Sequence, residues 1–329
     1  TTNVGMDLSF LNNRLSATVD WFERRTIDMV GPSQAMPGVL GTGVPKENNS
    51  TLRTRGWEIS LNWKHALENG LSYNLGISLY DYKSVVTKYF NPTGTLSTWY
   101  EGAEVGDIWG YTVNDLFRSQ EDLDSYLSKV DMTHIAANWN TGDLKYEDIN
   151  HDGKVNNGTN TIGNHGDLSV IGNDQPHYQY TINGGVSYKG FDFYMSMYTR
   201  QGVRALSDAH KQSSDDPVRY RGFRVNYWTP ENRSNDYPAP AIKGTYTDFS
   251  NSDYFVKDVS FVRISNISLG YTLPKDFIQK FRMENAKVYI NINNPFVFTP
   301  FDGQDPQVGT DKKSYPSVTS YQLGVNLNF

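Results

Sequence analysis

The 329-residue chain contains no cysteine. Disulfides, thiolate nucleophiles and cysteine-ligated metals are therefore excluded together. It also has no run of 18 apolar residues, so no transmembrane helix can be drawn on it. A membrane β-strand stays open, because it needs an apolar residue only at alternate positions. There is no surplus of positive charge: the net charge is −6, and no basic cluster carries interleaved aromatics, which argues against nucleic acid as a partner. A start methionine and a secretory leader are missing too. The chain opens at Thr1 and alternates by Val4, so the expectation is a piece of a longer protein. What it does have is 22 Tyr, 16 Phe and 28 Gly in a chain only 37% hydrophobic, a polar but aromatic composition suited to strands.

The strongest signal is period-two alternation. Val4, Met6, Leu8 and Phe10 alternate with polar residues or glycine, as do Leu15, Ala17, Val19 and Trp21, and then Trp57, Ile59, Leu61 and Trp63. The pattern returns at 71–79, 178–188, 191–197, 267–273, 288–292 and 321–329, giving about nine strands, most of about 9–12 residues, long enough to cross a bilayer when tilted. Connections alternate in length. Turns at 11–14, 65–70 and 189–190 are tight and the link at 274–285 is moderate, whereas 28–53, 84–176, 202–257 and 299–318 are long. Outer-membrane barrels sort their connections this way, with short periplasmic turns and long extracellular loops. Phe10, Trp63, Tyr73, Tyr188, Phe191, Tyr271 and Phe329 gather beside the short turns on the apolar face. They form an expected interfacial girdle; core aromatics at strand ends are the alternative. Within 84–176, Ser119 three residues before Asp122 resembles a capping box, and Leu123, Tyr126, Leu127 and Val130 follow at helical spacing, predicting a helix over 120–130.

The expected fold is thus all-β, a transmembrane antiparallel β-barrel with long extracellular loops and a short helix. The strands counted are too few and too open to close alone, since unpaired backbone in lipid is costly. The chain, 1–329, is read as the C-terminal portion of a larger barrel, with earlier strands outside it.

Several segments carry a family resemblance. They are Asn12-Asn13-Arg14-Leu15-Ser16 leading into Asp20-Trp21; Arg55-Gly56-Trp57-Glu58-Ile59-Ser60-Leu61; Gly106-Asp107-Ile108-Trp109-Gly110-Tyr111; and Gly142-Asp143-Leu144-Lys145-Tyr146 running into Asp148–Lys154. They continue with Ile171-Gly172-Asn173, Tyr188-Lys189-Gly190-Phe191-Asp192, Tyr227-Trp228-Thr229-Pro230-Glu231-Asn232 and Phe261-Val262-Arg263-Ile264 on through Gly270-Tyr271. In order and spacing these resemble the SusC/RagA family of TonB-dependent outer-membrane transporters. The resemblance implies a plugged barrel of about 22 strands in the outer membrane of a Gram-negative bacterium of the Bacteroidetes type. It also implies a SusD-like surface lipoprotein as lid, energy relayed by TonB, and import of oligosaccharides or, in some members, peptides. It does not imply an enzyme.

Asp148, Asn150 and Asp152, with Gly153 following, match the first half of an EF-hand-type calcium loop. Lys154 would supply a carbonyl and Asn156 the ninth position, while Thr159 stands where a bidentate Glu is usual. A structural calcium ion is one reading; an Asp/Asn/Gly turn satisfied by its own side chains is the other. Trp99, Tyr100, Trp109 and Trp228 are candidate substrate-stacking residues, against the alternative that they pack the loops' own cores. The histidines at 65, 134, 151, 165, 177 and 210 show no metal spacing or nucleophile elbow. Asp215-Asp216 reads as a solvated pair, and Asp20, Glu58, Asp192 and Arg200 as lumen-lining. The rival functions are a soluble calcium-dependent carbohydrate-binding β-protein, a barrel enzyme and a passive porin.

Overall fold

The structure, a computed structural model, describes residues 1–32, 46–206, 226, 228–233, 237–239, 251–309 and 315–329. His210, Asp215, Asp216 and Tyr227 lie outside the described residues. The strands in chain order are β1 (Thr2–Phe10), β2 (Leu15–Val30), β3 (Asn48–Ala66), β4 (Ser72–Tyr89), β5 (Asp107–Gly110), β6 (Val113–Leu116), β7 (Leu144–Tyr146), β8 (Ser169–Asn173), β9 (Gln179–Tyr188), β10 (Phe191–Arg200), β11 (Arg204–Leu206), β12 (Val256–Asp258), β13 (Phe261–Thr272), β14 (Asn285–Phe298) and β15 (Ser320–Asn328). Helix α1 spans Gln120–Leu127 and α2 spans Lys275–Ile278.

Nine of these form one sheet in the order β1-β2-β3-β4-β9-β10-β13-β14-β15, every neighbour antiparallel. Its registers turn the alternation of the sequence into two faces. Phe10, Leu15, Trp63, Leu75, Gly184, Met195, Ile267, Ile292 and Tyr321 stand side by side across all nine strands. One residue along, the row reads Ser9, Ser16, Asn62, Gly76, Asn183, Ser196, Asn266, Asn293 and Ser320. The polar row is bonded to itself: Asn266 Nδ2 donates to Asn293 Oδ1 at 2.9 Å, and Asn293 Nδ2 to Ser320 Oγ at 3.2 Å. Apart from the link at 274–284, no second layer among the described residues covers the apolar face, where Val4, Leu61, Leu75, Leu269 and Leu323 are all exposed. A wall with one hydrocarbon face and one wet face is what a membrane barrel requires. A soluble sandwich would bury the apolar row, so the soluble alternative falls.

The mid-height row of the apolar face is Met6, Val19, Ile59, Leu79 and Tyr180. Ile59→Arg is expected to cost about 2–4 kcal/mol, whereas Ser60→Arg, on the opposite face, costs under about 1 kcal/mol. Reversible folding of the full-length receptor into lipid vesicles measures both.

The tight turns match their chemistry. Lys189 and Gly190 have φ of 48° and 87°, the paired positive values of a two-residue type I′ hairpin. Helix α1 begins as expected, with Ser119 Oγ accepting from Asp122 N at 3.2 Å. The Asp122 carboxylate, however, accepts from Arg118 N at 3.3 Å rather than from the cap. The helix stops at Leu127, short of the expected Val130, because Asp131 is drawn into a parallel bridge with Lys154.

Four strands exceed the expected length: β2, β3, β4 and β14 have 16, 19, 18 and 14 residues. Charges interrupt the alternation above Trp21 and Trp57, so sequence periodicity ends there. The ribbon continues because cross-strand pairs replace hydrocarbon contact, as in Glu23 Oε2 with Arg55 Nε at 2.6 Å. The link at 274–285, expected as somewhat longer than the other turns, holds α2 and a 3-10 turn at Gln279–Phe281.

Candidate functional site

The long connection between β4 and β9 is a folded excursion rooted in the barrel wall. Val86 N–H donates to Ala103 O at 2.9 Å and Val105 N–H to Ser84 O at 2.9 Å, so residues 102–105 extend the sheet beside outer β4. Lys83 pairs with Glu104 at this joint, and His177 Nδ1 contacts Asp81 Oδ1 at 2.9 Å.

Above the joint, β5 pairs with β8 and β6 with β7. Tyr111, Phe117, Leu123, Tyr146, Val155 and Phe255 belong to one buried core. Burial, with Asp167 second, pushes the Tyr111 phenol up to about 12. Burial likewise raises the Asp253 carboxyl, which accepts from Val113 N–H at 2.9 Å and ties the 251–255 segment to β6.

Trp99 and Tyr100 sit in the joint. The Trp99 ring meets Tyr89 edge-on at 6.3 Å, and both candidates pack against Val86, Tyr89 and Ala103 while keeping part of their surface open. Burial raises the Tyr100 phenol, outweighing the neighbouring Trp109 indole. Trp109, on β5, faces a cavity of about 340 Å³ together with Leu96, His134, Asn157, Asn160 and Leu168. Its ring lies 5.6 Å from that of His165. Among the described residues neither Trp109 Nε1 nor His165 Nδ1 completes a hydrogen bond of good geometry, and none of them brings a charged side chain to the cavity. The structure thus brings Trp99, Tyr100 and Trp109 into one region. Trp228 is elsewhere: it is 4% exposed within the excursion's core, so close to Gly142 that a Cβ there would lie 2.4 Å from its ring. It packs the core and offers no face to a ligand, the alternative the sequence had left open.

In the 148–156 loop the side chains close on the loop's own backbone. Asp148 Oδ2 accepts from Gly153 N at 2.8 Å and Asp148 Oδ1 from Asp152 N at 3.2 Å; Asp152 Oδ1 accepts from Lys154 N at 2.9 Å, and Asn150 Oδ1 from Asp152 N at 3.0 Å. Asn156 Oδ1 accepts from Gly158 N at 2.6 Å. The Thr159 hydroxyl is bonded to Thr161 Oγ1 at 2.9 Å and donates to Asn164 O at 3.3 Å. The closing role falls to a residue the sequence reading missed. Asp167, 0% exposed, accepts from Ile149 N at 2.8 Å, Asn150 N at 3.3 Å and Asn156 N at 2.8 Å. Among the described residues no three His, Cys, Asp or Glu side chains converge as a metal-binding group. His134, Asn157 and Asn160 were also missed as cavity residues. In sequence Asn157 and Asn160 read as stand-ins for the calcium-loop position held by Thr159, and nothing local joins them to Trp109.

Fold and site together define the class: part of the wall of a membrane-spanning β-barrel, crowned by a folded extracellular excursion. No family model matches the chain. Among curated proteins, TonB-dependent receptor SusC of Bacteroides thetaiotaomicron is 25% identical over 100% of this chain and 32% of its own length. TonB-dependent receptor P3 of Formosa agariphila is 22% identical over 99% of this chain and 34% of its own length. The solved RagAB peptide transporter superposes with a TM-score of 0.75 at 19% identity, covering 99% of this chain and 35% of that one. Over nearly its whole length the chain is similar to these TonB-dependent receptors and shares the fold of the RagAB transporter barrel, and it spans about a third of the length of the relatives it matches.

Proposed function

We propose that the whole receptor imports oligosaccharides across the outer membrane, driven through TonB and lidded by a SusD-like surface lipoprotein, with this chain supplying barrel wall and a capture surface. The observation that carries the substrate class is the lining of the Trp109 cavity. Side-chain amides, a histidine and an indole without charge suit vicinal hydroxyls and the apolar face of a sugar ring. Oligopeptides are the second reading, favoured by the structural likeness to a peptide transporter. Titration calorimetry of the full-length receptor with neutral oligosaccharides and with peptides separates them. Oligosaccharide binding should weaken about ten-fold in Trp109→Ala, equivalent to ~1.4 kcal/mol, and less in Trp99→Ala and Tyr100→Ala. Binding of peptides alone, unaffected by Trp109→Ala, would overturn the oligosaccharide reading.

The same reading makes the loop of Asp148, Asn150, Asp152, Lys154 and Asn156 a structural calcium site of low affinity, with a Kd of about 10⁻⁴–10⁻³ M. It is supported by the fold of the loop around Asp148, whose carboxylate already holds the Gly153 N–H; the absence of an acid at Thr159 sets the weakness. Amide exchange across 148–157 should slow in millimolar calcium, and Asp148→Asn should abolish that response. Equal exchange in calcium and in chelator would remove the ion from the account.

A further inference from the structure

We propose that the link between β13 and β14 is a lipid anchor lying on the phospholipid leaflet at the short-turn end of the barrel. Phe277 and Phe281 enter the acyl boundary, and Lys275, Lys280 and Arg282 reach lipid phosphates. This inference rests on the barrel fold alone and is independent of what the receptor imports.

A two-residue turn suffices at this end of the sheet, as Lys189-Gly190 shows. The 274–284 link is longer and locally folded: α2 runs into the 3-10 turn at Gln279–Phe281, and Arg282, at a φ of 55°, ends it. Such a segment would be expected to turn its apolar side inward. Ile278 does so, at 2% exposure, with α2 packed against β14. Phe277 and Phe281 do not: they are 52% and 56% exposed with ring centroids 5.6 Å apart.

The position of the link gives those rings a solvent. Ala286 has the parity of Val288 and Ile290, which are exposed on the hydrocarbon face, and yet it is 1% exposed. The link therefore folds back over the lipid side of β14 and not over the wet face. There it continues the apolar belt of Phe191 and Tyr271, whose rings are 4.5 Å apart, and of Leu327 on the adjoining β15. Lys275, Lys280 and Arg282 are exposed and make no ion pair among the described residues, against Asp276 and Glu284 on the same segment. Two rings flanked by a cationic surplus at the edge of a hydrocarbon belt match the chemistry of an interfacial anchor on phosphate headgroups.

The full-length receptor in phospholipid nanodiscs tests this by spin labelling at Phe277→Cys and Phe281→Cys, with Leu327→Cys and Glu68→Cys as belt and aqueous references. Each labelled receptor is first checked as a folded barrel by heat-modifiable mobility. Labels at 277 and 281 should favour oxygen over a nickel chelate about five-fold more than the label at 68, approaching the value at 327. Combining Lys275→Glu, Lys280→Glu and Arg282→Glu should move the 281 label toward the aqueous value in anionic nanodiscs. Labels that match position 68, or that are shielded from oxygen and nickel alike as in a protein contact, would overturn the anchor.

Discussion

Asp167→Ala should loosen the excursion by about 3–5 kcal/mol, because it strands three backbone N–H groups in a place water does not reach. The Asp167 side chain is buried and makes no ion pair among the described residues. Its stability comes from the Ile149, Asn150 and Asn156 amides, each within 3.3 Å of a carboxylate oxygen, and charge-assisted bonds of this kind are the strong ones. The loop they hold carries the bridge of Lys154 to Asp131 and the buried Val155, so the loss propagates to the end of α1. Amide exchange at 149, 150 and 156 should accelerate at least about a hundred-fold, each factor of ten reporting ~1.4 kcal/mol. Asp167→Asn keeps one acceptor oxygen and should cost roughly half as much. The barrel should remain heat-modifiable in both variants, since no barrel strand bonds to Asp167. Unchanged exchange in Asp167→Ala would mean that the loop is held by its own Asx turns alone.

The legibility of this chain in its sequence divides along the same line. The wall was readable because a barrel strand is solved residue by residue. Leu61 must face lipid and Asn62 the bore, and each neighbouring strand repeats the decision, so alternation and turn chemistry at Lys189-Gly190 carry the whole sheet. The excursion is solved by contacts distant in sequence. Tyr111, Tyr146, Val155 and Phe255 share one core, and the short strands between them, three to five residues each, are too brief to show a period. Trp228 looked like an exposed stacking residue for this reason: its polar neighbours Thr229, Glu231 and Asn232 describe a loop, and only Gly142, far away in sequence, reveals that the ring is inside. Asp148 and Asp152 were visible as a pattern, whereas the residue that closes their loop, Asp167, has no local signature.

Arg263→Ala should release the connection between β14 and β15 at a cost of about 3–5 kcal/mol, the penalty for leaving a buried charge without its partner. Arg263 Nη2 donates to Asp305 Oδ1 at 2.6 Å, and both side chains are 4% exposed. Arg263 stands opposite Tyr198, on the wet face of the wall, and Tyr198 itself donates to Gln307 Oε1 at 2.9 Å. Asp305 and Gln307 are therefore pinned to the wet face of the wall. Burial opposes ionisation of Asp305. The Ser317 and Gln307 N–H groups, the Ser317 hydroxyl and Arg263 outweigh it and hold the carboxyl below the usual carboxylate range. Because the unfolded loop takes up the proton first, the anchoring is complete above the unfolded value of about 3.9. It is lost as pH falls from there through the lowered native value. Exchange at 305–309 and 315–319 should thus be slow at neutral pH, rise steeply only in strong acid, and be fast at every pH in Arg263→Ala. Asp305→Asn should lose the acid response and retain part of the anchoring through its remaining acceptor oxygen. Removing both charges in Arg263→Met with Asp305→Leu should cost less than Arg263→Ala, since no uncompensated ion is left behind. If the single and double variants are equally loose, the pair supplies placement of the connection rather than compensation of charge.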